Sequence, residues 1–169
     1  MTAHCPNGTG CVIFLLNTDV SVFPMSRATS QMRSFAKRLI TDEALGNRFT
    51  KPGNPDVFSA CERLRPPLAA LMGNGGFQAL QSRALALSGA AIPWMGALHV
   101  KSDGSLGGLE EIRGQLSADA FLAGRVELLA QLLGLLVAFI GEDLTLRLVR
   151  EVWPKAPLDN LNLANGDKR

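Results

Sequence analysis

Hydrophobic positions are densest over residues 126–140, VELLAQLLGLLVAFI. The run stops at Gly141-Glu142-Asp143, and a second stretch, LTLRLVREVWP, follows it to Trp153-Pro154. A helix apolar nearly all round has to be covered on every side, by lipid or by protein. A membrane span needs roughly 20 apolar residues, with a lower limit near 17. This run is shorter, carries Glu127 and Gln131 near its start, and has basic residues on both flanks (Arg125, Arg147), so it lacks the charge asymmetry that orients a span. It is expected to be the buried axis of a soluble helical bundle, with membrane insertion the less favoured reading.

On a helical wheel Ala130, Gly134 and Ala138 form a stripe of small residues where another helix can approach closely. Leu129, Leu132 and Leu136 occupy the other side. Glu142 and Asp143 suit a helix amino terminus, where the helix dipole favours negative charge. The next helix is then expected to turn Leu144, Leu148, Val149 and Val152 inward, with Gly141 as the hinge between the two.

Upstream the spacing is also helical. Residues 34–45 place Phe35, Leu39 and Ile40 on one face, and Gly46-Asn47 reads as a stop. Asp56 can cap a helix with apolar positions Val57, Phe58, Cys61 and Leu64. Pro66-Pro67 is expected to interrupt that helix, because proline removes an amide donor and restricts the residue before it. A short helix resumes to Met72, and Gly73-Asn74-Gly75-Gly76 forms a turn into a helix over 77–87. Residues 93–108 resist a helical reading. There, 97–101 alternate loosely and Ser102-Asp103-Gly104-Ser105 is a turn signal, so a short hairpin or extended excursion is expected near 97–108. The expected fold is all-α, a compact single-domain bundle of about five to seven helices.

Composition leaves that picture in place. With 169 residues, 47% of them hydrophobic, the chain can bury a core without disulfides. A net charge of +2 points to no nucleic-acid partner. Basic residues prevail over 33–65 and acidic ones over 106–151, a balance that packing of complementary halves explains. Residues 1–31 read as a disordered extension or a start assigned too far upstream, 32–155 as the helical domain, and 156–169 as a loosely ordered tail. Three cysteines and no signal peptide favour a reducing, cytoplasmic setting.

Candidate chemistry is sparse. Cys61 and His99 are the weak candidates for a nucleophile–base pair, although Cys61 fits the apolar stripe of its own helix. Gly73, Asn74, Gly75 and Gly76, opening a helix, are weak candidates for holding a phosphate. They lack the Lys-Ser/Thr pair and the preceding strand of a nucleotide loop, and a helix–helix turn explains them better. Glu127 and Gln131 are weak ligand-binding candidates in the bundle core. Glu127 is the acid expected to be partly buried, satisfied by Gln131 or Arg125. Neither a metal site nor a cofactor is expected. The reading that follows is a soluble, non-enzymatic regulatory or protein-interaction module, binding another protein or itself. The alternatives, in falling order, are a binding module for a small apolar or phosphorylated ligand, an enzyme using Cys61 and His99, and a membrane-inserting protein.

Overall fold

The computed structural model describes residues 28–46, 58–156 and Leu163. Its five α-helices are α1 (Ser30–Gly46), α2 (Ser59–Ala91), α3 (Leu109–Ile112), α4 (Ala118–Ile140) and α5 (Glu142–Val152). A two-stranded antiparallel hairpin, β1 (His99–Val100) with β2 (Leu106–Gly107), and short 3-10 turns at Pro93–Ala97 and Arg113–Gln115 complete it. The fold is all-α apart from that hairpin, which falls inside the expected 97–108 excursion.

The apolar run is the second half of a longer helix. α4 begins at Ala118, where the Ser117 side chain accepts the Ala120 N–H at 3.1 Å and satisfies one otherwise orphaned amide. At 23 residues it is, by length and composition, apolar enough to cross a membrane, so length does not decide the matter as the run alone suggested. Its packing bears on it more directly. Leu128, Leu129, Leu132, Leu133 and Leu136 are all buried, because α1 covers one side of α4 and α2 another. Of the small-residue stripe, Ala130 and Gly134 are buried, while Ala138 is exposed beside Phe139.

α1 starts earlier than the apolar spacing suggested, at Ser30, because Thr29 Oγ1 accepts the Met32 N–H at 3.1 Å. It packs almost wholly on α4, and Met32, Phe35, Ala36, Leu39 and Ile40 are buried there. Each larger side chain contributes about 1.5–3 kcal/mol by leaving water. Residues 1–27 of the expected extension lie outside the described residues. Ala28 and Thr29 belong to the helical body, with Ala28 buried. Of the tail, only Leu163 is described beyond residue 156. It is buried, and its N–H donates to Glu142 Oε1 at 2.5 Å.

The expected interruption at Pro66-Pro67 does not occur, since α2 runs through both prolines and breaks at Gly73. A proline inside a helix costs about 3 kcal/mol, but packing can outweigh propensity. Leu64 and Leu68, one turn apart and spanning the pair, are both fully buried, and Pro66 is exposed. The break falls where a residue without Cβ can take φ +75° and ψ 166°. Thus 59–72 and 74–91 are two helical segments in one element. Asp56 and Val57, read as cap and first apolar position, lie outside the described residues.

Beyond Gly141 (φ +85°) α5 packs back on α4. Leu148 and Val149 are buried as expected, but Leu144 is exposed and Thr145 takes the inner place. The helix phase turns Thr145 inward, where its hydroxyl bonds the Gly141 carbonyl at 2.7 Å. At the other end of α4, Trp94 stacks on Phe121 (6.4 Å between centroids) and Phe121 meets Phe58 at 6.2 Å, tying the 3-10 turn, α4 and the start of α2 together. Gly124 makes room for this, since a Cβ there would overlap the Trp94 indole.

Candidate functional site

The candidate residues fall in four separate places. Cys61 is buried in the first turn of α2. His99 is exposed in β1 and lies beside residues 82–89, in the segment of α2 beyond the Gly73 break. The imidazole sits across the hairpin on Gly107, its register partner, and a Cβ at Gly107 would lie 2.6 Å from His99 Nε2. The structure therefore brings His99 to the hairpin and Cys61 to the core, on opposite sides of the break in α2.

Gly73, Asn74, Gly75 and Gly76 form that break. Only Gly73 among them has a positive φ. A Cβ at Gly76 would come 2.9 Å from Met72 Cγ, so the chain doubles tightly there. These are the properties of a turn between helical segments.

Glu127 and Gln131 do meet, one helical turn apart on the inner face of α4. Gln131 Nε2 donates to Glu127 Oε1 at 2.8 Å, and Gln131 Oε1 accepts the Ala28 N–H at 3.3 Å. The basic partner is Arg33 in the first turn and a half of α1, whose Nε and Nη2 reach the two carboxylate oxygens at 2.6 and 3.1 Å. Burial pushes the Glu127 carboxyl up, but the hydrogen bonds from Arg33 and Gln131 and the Arg33 charge outweigh it, leaving the carboxyl below its ordinary range. The hydrogen bond with Glu127 raises the Arg33 guanidinium further, against a smaller opposing effect of burial. Both oxygens of Glu127 and the amide of Gln131 are thus committed to holding α1 on α4. Nothing in the sequence signals Arg33 as the partner, because it lies 94 positions away.

What the sequence reading missed is an open groove of about 370 Å³ between the far segment of α2 and β1. Ser82, Leu85, Ala86 and Gly89 line one wall, and Met95, Gly96 and residues 98–100 the other. Close backbone approach shapes its end, where a Cβ at Gly89 would sit 3.4 Å from Gly96 Cα. The paired glycines around Pro93 were the available signal. Among the described residues no cluster of three or more His, Cys, Asp or Glu is placed to hold a metal ion.

Comparison with protein-family models, with curated proteins and with solved structures finds no match.

Proposed function

We propose that this chain is a non-enzymatic helical module that binds another protein, working in the cytoplasm, and that the groove between α2 and β1 is its docking surface. The observation that carries this reading is the groove itself, which is apolar on both walls and open along its length, a shape that takes a partner's side chains. The separation of Cys61 from His99, and the commitment of Glu127 and Gln131 to α1, remove the chemistry an enzyme would need from the sites that the sequence offered.

The test is a photo-crosslinking amino acid placed at exposed Ala86 in the groove, or at exposed Arg147 on α5 as the control, in native cell extract. A discrete protein adduct from position 86 and none from position 147 is the expected result. Equal labelling from both positions, or none from either, contradicts the reading. A second reading, a site for a small apolar ligand, is favoured only by the groove's volume, which falls in the range of ligand pockets. An unbiased thermal-shift screen tests it, since a ligand that binds the folded state raises apparent stability.

A further inference from the structure

The hairpin's register determines which way its backbone groups face. The Lys101 N–H donates to the Ser105 carbonyl at 2.8 Å, and the Gly104 N–H to the Lys101 carbonyl at 2.9 Å, with Gly104 at φ +81°. This is a loop over residues 102–104 closed by a glycine in the left-handed region, which makes Lys101 and Ser105 a hydrogen-bonded pair. In an antiparallel ladder bonded and non-bonded pairs alternate. Val100, paired with Leu106, is therefore non-bonded, and His99, paired with Gly107, is bonded. The Val100 N–H and C=O point away from β2. No described residue bonds to them, and Val100 lines the groove while β2 does not.

We infer that the groove takes an extended peptide segment of a partner protein, which adds to β1 as a third strand on the Val100 edge. This rests on the interaction reading above and gives it a recognition mode, β-strand addition. The incoming strand would lie about 4.8 Å from β1 and exchange its own N–H and C=O with those of Val100. Its alternate side chains would face the floor made by Leu85, Met95 and Leu98, so small or medium apolar residues at every second position fit. The opposite wall is low at Ala86 and Gly89, which leaves room for a backbone beside the helix.

The experiment selects short linear peptides from a phage-displayed library on the full chain, then follows amide exchange by NMR with a selected peptide added. In the free protein the Val100 amide should exchange fast and the Lys101 amide slowly. With peptide bound, Val100 should become protected. The variant Val100→Pro removes the donor at an edge position where proline is tolerated, and it should weaken peptide binding about tenfold or more. If that variant fails to fold, the exchange readout on the native chain decides alone. Peptides that bind and leave Val100 exchange unchanged overturn strand addition while leaving the interaction reading standing. Selection that yields no binder overturns strand addition as well, and so does a dimer of the chain that Ala86→Glu dissociates. The crosslinking at position 86 judges the interaction reading separately.

Discussion

Arg33 grips Glu127 with two nitrogens across the α1–α4 interface, and the two partners are unequally buried: the Arg33 side chain is 43% exposed and that of Glu127 only 6%. The pair therefore joins a half-solvated cation to an anion that water does not reach. Removing the cation should hurt more than neutralising the anion. Arg33→Met leaves a buried carboxylate with Gln131 as its remaining donor, and about 2–3 kcal/mol should be lost, less than for a fully buried pair because Arg33 is partly solvated. Glu127→Gln keeps the shape and should cost about 1–2 kcal/mol. Urea unfolding of both variants checks the order, and equal losses would contradict it.

The same pair sets an acid dependence. The Glu127 pKa in the folded state is depressed, so its stabilisation is fully present above the unfolded-state value, about 4.3, and is lost as pH falls through the folded-state value. The stability gap between the native chain and Glu127→Gln should be constant from neutral pH down to about pH 5 and should close below about pH 4. Thermal unfolding across that range reads it directly. A gap that widens on acidification would reverse the assigned sign.

Gln81 is 1% exposed, and neither its amide nitrogen nor its amide oxygen has a hydrogen-bond partner. Replacing it with an apolar side chain of similar length removes an uncompensated desolvation cost. Gln81→Met should thus raise stability by about 1 kcal/mol, seen as a higher midpoint in thermal unfolding. A lower midpoint would mean that the amide is satisfied in solution.

Gly124 offers the opposite test of a common expectation. Inside a helix, glycine to alanine normally gains up to about 1 kcal/mol. Here the added methyl overlaps the Trp94 indole, and Gly124→Ala should instead lose about 1–3 kcal/mol by forcing the ring from its place against Phe121. The double variant with Trp94→Ala should recover part of the methyl's cost, which a double-mutant cycle measures.

How much of this was legible depended on range. The helical run, the Gly141 hinge, the turn over 102–105 and the Glu127–Gln131 bond are local, set by spacing and turn chemistry within a few residues. The early start of α1 turned on a cap at Thr29, which is local as well, but the apolar spacing masked it. The passage of α2 through Pro66-Pro67 is decided by the burial of Leu64 and Leu68 against other helices, which propensity does not contain. Arg33 as the partner of Glu127, Gly124 as the seat of Trp94 and the groove beside β1 join residues distant in sequence, and one chain alone carries no rule for such pairs.

The central structural claim is that α4, although long and apolar enough to span a bilayer, is the protein-covered axis of the fold. Amide exchange on the detergent-free chain, with and without lipid vesicles, tests it most directly. The expected result is that residues 127–136 hold the slowest amides, that residues 32–40 of α1 are also protected, and that vesicles change neither. Fast exchange over 127–136 without lipid, with protection gained only when vesicles are added, would contradict it.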